Sequence, residues 1–183
     1  MKAKPLIVFE GMDNSGKTTL SQRIAKEFPY AVWSKEPTFS TQIADELNSP
    51  QCKDEYDRET LFLEGRLERQ TFYSDNFVFL DRYLWSGMAY SKVFSPGVYN
   101  FVTRLYQNYR IFKKPTVTIY MDTPIELCQK REPTLTIKRL TAIRDAYDET
   151  RKYVNTPIIT MHGTGDLDSN VAELKEKLSV YIK

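Results

Sequence analysis

Short apolar runs rich in β-branched and aromatic residues recur at residues 6–9, 31–33, 77–80, 117–121 and 158–161. They are continuous rather than alternating, the pattern of parallel strands covered on both faces. Between them, residues 18–28, 59–73, 98–109, 137–153 and 171–182 place apolar side chains at helical spacing, the fourth segment being rich in intrahelical charge pairs. Pro29, Pro115, Pro124 and Gly163 punctuate the ends of these segments. The alternation predicts an α/β fold, a doubly wound parallel five-stranded sheet with helices on both faces. No internal repeat, low-complexity tract or linker divides the chain, so residues 1–183 are expected to form one domain.

The junction of the first strand and first helix carries the strongest chemical signal. Gly11-Met12-Asp13-Asn14-Ser15-Gly16-Lys17-Thr18 fits the G-x-x-x-x-G-K-[ST] pattern of a phosphate-binding loop. Its glycines let the backbone curl so that successive N–H groups face phosphate oxygens, and the helix N-terminus adds a positive dipole end. Gly11, Asn14, Ser15, Gly16, Lys17, Thr18 and Thr19 are therefore the expected nucleotide-phosphate-binding residues, with Lys17 reaching the β- and γ-phosphates and Thr18 ligating Mg²⁺. Asp81 ends the third strand beside this loop, where its carboxylate is a second candidate for Mg²⁺. The next residue, Arg82, offers a planar fork suited to a phosphate. This loop alone serves GTPases, ATPases and small-molecule kinases; the Asn-Lys-x-Asp of a guanine reader is absent from the sequence.

Composition narrows the setting. A net charge of +2 does not indicate general nucleic-acid binding, although Lys130, Arg131, Lys138, Arg139 and Arg144 face only one acid, Glu132, in their stretch. Cys52, Cys128 and the single His162 lack the spacing of a zinc site or disulfide framework. No apolar run reaches membrane-spanning length, and residues 1–5 lead into the first strand without a signal-peptide pattern. The expectation is a cytoplasmic protein with no membrane partner, in the host cytoplasm if the source is viral.

Three segments extend the pattern. The strand and loop at Phe9-Glu10-Gly11-Met12-Asp13-Asn14-Ser15-Gly16-Lys17-Thr18-Thr19, then Leu61-Phe62-Leu63-Glu64-Gly65-Arg66, then Asp81-Arg82-Tyr83-Leu84-Trp85-Ser86-Gly87-Met88-Ala89-Tyr90 resemble the thymidylate kinases in order and spacing. The resemblance implies a P-loop nucleotide kinase that uses ATP and Mg²⁺ to phosphorylate a thymidylate-like nucleotide, most directly dTMP to dTDP. It gives Phe62 and Arg66, four apart on one helix face, to the thymine site, one stacking and the other donating to the base edge. It sets Asp13 near the acceptor sugar and phosphate, with Asp81, Arg82, Tyr83, Ser86 and Tyr90 around the acceptor. It also implies dimerisation through helices beside the sheet, for which the aromatic stretch 99–109 is a candidate if it is not core.

Two departures keep other acceptors open. After the second strand this chain reads Ser34-Lys35-Glu36-Pro37-Thr38-Phe39, with Phe39 where a phosphate-holding cation is expected. The arginine-rich lid is cut to the short stretch Lys130-Arg131-Glu132-Pro133-Thr134-Leu135-Thr136, leaving Arg131 or Arg139 to stabilise the transferring phosphoryl group. Glu36-Pro37 also resembles the deoxynucleoside kinases, in which such a glutamate is the base for a sugar hydroxyl. A phage branch of thymidylate kinase relatives phosphorylates 5-hydroxymethyluracil in DNA, and a short lid would leave room for modified DNA.

Overall fold

Each apolar run forms a strand in the computed structural model, which describes residues 4–38, 40–49, 52, 54–108 and 110–182. Phe39 and Tyr109, the latter the expected end of a helix, lie outside the described residues. The strands are β1 (Leu6–Glu10), β2 (Ala31–Lys35), β3 (Phe77–Asp81), β4 (Val117–Asp122) and β5 (Ile158–His162). They pair in parallel in the order β2-β3-β1-β4-β5. Leu6 and Val8 of β1 join one core with Trp85, Leu140, Ile143 and Tyr147. Ile7 and Phe9 join a second core with Leu20, Ile24, Val171 and Leu174. Successive residues of the central strand thus serve opposite faces, both covered, which is why its sequence is apolar throughout.

The helices are α1 (Lys17–Ala25), α2 (Thr41–Leu47), α3 (Glu55–Glu68), α4 (Gln70–Asp75), α5 (Leu84–Phe94), α6 (Tyr99–Tyr106), α7 (Ile125–Arg131), α8 (Ile137–Thr150) and α9 (Leu167–Leu178). Helix α3 starts four residues before the expected position because the Asp54 side chain accepts the Asp57 N–H at 2.9 Å, a side-chain cap. The expected helix 59–73 is broken at Arg69, which caps the end of α3 and precedes α4. Helices α2, α5 and α7 carry no expectation from the sequence. Leu84, Trp85, Ser86, Gly87, Met88 and Ala89 of α5 are all buried, and a helix enclosed on every side shows no amphipathic period. In α6, Val102 and Tyr106 are core, whereas Phe101 is exposed with its ring 5.6 Å from that of Tyr56. Among the described residues, no helix is long and apolar enough to cross a membrane.

What positions the site is the end of β1. The register pairs Phe9 with Asp81, bringing the carboxyl ends of β1 and β3 together. Glu10, 1% exposed, accepts the N–H groups of Tyr83 and Ser86, each at 3.0 Å, along with the hydroxyls of Ser86 and Tyr147. Its carboxylate is thereby the cap of α5, which lacks a side-chain cap of its own. Burial pushes the Glu10 carboxyl above its ordinary range, opposed by the Ser86 bonds and by the charges of Arg82 and Lys17. Replacing Glu10 by Ala should leave these buried donors unpaired and lower stability by about 3 kcal/mol. Urea unfolding checks this; a loss under about 0.5 kcal/mol would mean that the amides find other acceptors.

Candidate active site

The loop between β1 and α1 turns through left-handed backbone at Asn14 (φ 58°) and Gly16 (φ 96°). Lys17 is buried, and its Nζ donates to the Met12 carbonyl and, at 3.2 Å, to Ser15 Oγ. Burial lowers its pKa to about 7, assisted by Arg82 and opposed by Asp81, Asp13 and Glu10. The Thr18 hydroxyl donates to Asp81 Oδ2, while Asp81 Oδ1 is buried with no hydrogen-bond partner among the described residues. A paired hydroxyl and an orphaned carboxylate oxygen, with the remaining positions left to phosphate oxygens and water, fit the coordination of Mg²⁺.

The far side of the loop is held by the chain after β4 and β5. Thr123 Oγ1 donates to the Ser15 carbonyl at 2.8 Å, and Gly163 packs so closely that a Cβ there would lie 2.4 Å from the same oxygen. Arg131, at the end of α7, donates to the carbonyls of Asn14 (3.0 Å) and Gly163 (2.7 Å). Arg139, in the first turn of α8, rests over the Phe94 ring at 5.0 Å. Gly163, Arg131 and Arg139, with Asp13, Asn14, Lys17, Thr18, Thr19 and Arg82, line an open cleft of about 680 Å³.

A second cavity, about 200 Å³, lies between α3 and α5, lined by Phe62, Arg66 and Glu59 from α3, Ser86, Gly87 and Tyr90 from α5, and Pro37. It falls below the roughly 300–1,000 Å³ of sites for drug-sized ligands and suits a single ring. Asp13 and Arg82 line this cavity as well as the cleft. Their side chains pair at 2.5 Å, and Arg82 also donates to Ser86 Oγ (3.3 Å) and lies over the Tyr90 ring at 4.9 Å. Arg82 itself has φ 70°, a left-handed conformation fixed by its N–H donating to the Phe9 carbonyl at 2.8 Å.

Arg66 is buried. Its Nε pairs with Glu36 Oε2 at 2.7 Å, its Nη1 donates to the Tyr106 hydroxyl, and its guanidinium lies 4.9 Å from the Tyr106 ring centre. Glu36 completes its bonding with Tyr73, whose hydroxyl reaches Oε1 at 2.8 Å. Burial raises the Glu36 carboxyl above its ordinary range, opposed by Arg66 and Tyr73.

Most of the residues singled out in the sequence converge on these two cavities, and the placements of Glu36 and Tyr83 are corrected. Glu36 lines neither, since both its oxygens face partners behind Arg66. Tyr83 is core rather than acceptor wall. The left-handed turn at Arg82 sends its ring to Tyr73 and Phe112, with its hydroxyl donating to Gln70 and Lys113. Ser86 does line the second cavity, but its hydroxyl is engaged by Glu10 and Tyr147. Glu59 also lines the second cavity, a role no motif of the sequence singles out, although it stands three before Phe62 and seven before Arg66 on the same helix face. Burial pushes its carboxyl up, opposed by Ser95 and Arg66. Tyr106 carries no local signal at all.

Comparison with known proteins agrees with this architecture. The thymidylate kinase family model matches residues 9–155. A probable thymidylate kinase of Methanocaldococcus jannaschii is 32% identical over 190 residues, covering 97% of this chain and 95% of that protein. Another from Metallosphaera sedula is 34% identical over 131 residues, 69% of this chain and 64% of that one. Among solved structures, thymidylate kinase from Candida albicans superposes with a TM-score of 0.78 at 22% identity, covering 98% of this chain and 93% of that one. A deoxyadenosine kinase from M. mycoides does so with 0.73 at 17% identity, covering 96% and 99%. The two solved structures share the fold, and the family match together with the nearly full-length archaeal relative makes this chain a member of the thymidylate kinase family.

Proposed function

We propose that the protein transfers the γ-phosphoryl group of ATP to the phosphate of dTMP, giving dTDP and ADP. The observation that carries this reading is the shared wall. Asp13 and Arg82 belong both to the phosphate-binding cleft and to the ring-sized cavity, so a polyphosphate in one and a nucleotide in the other would meet at this ion pair. In the transfer, an acceptor phosphate oxygen bonds to the γ-phosphorus as the bond to the β-γ bridging oxygen breaks, and ADP carries away the electron pair. The acceptor is already an anion, so alignment matters more than a base. The engagement of both Glu36 oxygens supports an acceptor of this kind over a sugar hydroxyl.

Within this reading, Lys17 and the loop amides hold the ATP phosphates, and Arg82 turns from Asp13 toward the acceptor phosphate. Phe62 stacks on the base, Arg66 donates to its edge, and Tyr90 closes the sugar side. Thr18 and Asp81 would hold Mg²⁺, which supplies charge neutralisation to the phosphates when bound. Arg131 is committed to two backbone carbonyls at the loop edge. The Arg139 guanidinium makes no ion pair among the described residues and faces the same cleft, so it is assigned the developing charge on the transferring group.

Transfer from γ-labelled ATP with Mg²⁺, offering dTMP, thymidine and 5-hydroxymethyluracil DNA in parallel, should label dTMP. Label confined to thymidine or DNA would overturn the assignment. Lys17→Ala should lower kcat by roughly a thousandfold or more while the urea midpoint is retained, because the lysine serves a ligand. Arg66→Lys preserves a charge for Glu36 but loses the planar fork. It should raise KM for dTMP about tenfold or more with KM for ATP unchanged, whereas equal losses for both substrates would argue against a base-reading role.

A further inference from the structure

Tyr106 lies in α6, outside every motif of the chain, and is 1% exposed. Its position is nevertheless tied to the acceptor cavity at two points. The first is Gly87, in the cavity wall, where a Cβ would come 2.3 Å from Tyr106 Cε2. Helix α5 can hold only glycine there, because the tyrosine ring occupies the place of a side chain. The second is Arg66, whose Nη1 donates to the Tyr106 hydroxyl and whose guanidinium lies against the ring. With Nε taken by Glu36, two edges of a planar group are anchored. Among the hydrogen bonds of the described residues, none uses Nη2, and Arg66 still lines the cavity.

We propose that Tyr106 is a positioning residue for base selection: its hydroxyl and ring, together with Glu36, fix the plane of Arg66 so that Nη2 presents its N–H groups to a carbonyl on the base edge of the acceptor. The proposal rests on the reading of this cavity as the base site. Glu36 alone constrains one nitrogen and leaves the guanidinium free to swing about that bond. The phenol removes the swing. Arginine has donors and no acceptor, so a fork held in this way favours a 4-oxo pyrimidine and meets the amino group of a 4-amino pyrimidine donor to donor. The burial of Arg66, 6% exposed, makes the discrimination larger than it would be at a surface, since a mismatched donor there is poorly solvated.

Tyr106→Phe removes the hydroxyl while keeping the ring that packs on Gly87 and, edge to face at 5.6 Å, on Phe112. The experiment measures kcat, KM for dTMP, dCMP and ATP, and the thermal midpoint, for Tyr106→Phe and Arg66→Lys side by side. The expected result for Tyr106→Phe is a KM for dTMP raised about tenfold, the loss of one charge-assisted hydrogen bond, with kcat within about twofold. KM for ATP should stay at its wild-type value, the midpoint should fall by only a few degrees because Nη1 loses a buried acceptor, and the preference for dTMP over dCMP should shrink by a similar factor. If KM and preference stay unchanged in Tyr106→Phe but move in Arg66→Lys, the positioning role is overturned and the base-site reading stands. If kcat falls, KM rises for ATP as well as dTMP and the midpoint drops well beyond a few degrees, Tyr106 is structural and the proposal is overturned. If Arg66→Lys also leaves dTMP and dCMP unaffected, the cavity is not the base site, and both readings fall.

Discussion

The site hangs on a buried carboxylate at the end of the central strand. Glu10 gathers the first amides of α5 and the hydroxyls of Ser86 and Tyr147, so that the turn from β3 into α5 is locked to β1 by a charge. Burying an unpaired carboxylate would be prohibitive, and this one is tolerable because polar hydrogens meet both its oxygens. Fixing that turn fixes Arg82 in its left-handed conformation and aims its guanidinium at Asp13 in the phosphate-binding loop. The loop and the acceptor cavity therefore share a wall as a consequence of strand pairing and one capping interaction, with no lid movement required to bring them together.

What the sequence discloses follows burial and locality. Five strands are legible because each is a run of apolar residues, and the phosphate-binding loop because its glycines and lysine act within eight consecutive positions. Phe62 and Arg66 are legible as a helical pair. Helix α5 is not, since burial on every side erases its period. Tyr83 follows two site residues and looks like a third, yet the reversal at Arg82 puts it in the core. Glu36 has the chemistry of a base, but only the packing of α3 and α4 against the second strand's end reveals that Arg66 and Tyr73 claim it. Tyr106 reaches Arg66 across 40 positions, and no local pattern encodes such a contact.

The two arginines of the acceptor cavity are each matched with an acid, but under different conditions. The Arg82 and Asp13 side chains remain 15% and 26% exposed, whereas Arg66 and Glu36 are 7% and 1% exposed. Separating the first pair lets water and an incoming phosphate replace the lost partner, so the exchange of Asp13 for a phosphate oxygen is open to Arg82. Separating the second pair would strand a carboxylate in the protein interior.

That contrast divides the labour of the cavity. At the phosphate end, a cation can change partners as the ligand arrives and as charge migrates during transfer. At the proposed base end, the cation is held by Glu36 and Tyr106, and under that reading selectivity derives from the energy of mismatching a fixed donor rather than from closure. Lys17 belongs with the first group. Burial has lowered its pKa to about 7, and a polyphosphate supplies the negative charge that restores its protonated form. Under the proposed reading, the groups assigned to phosphate thus acquire their working charge arrangement from the ligand, while those assigned to the base hold theirs in advance.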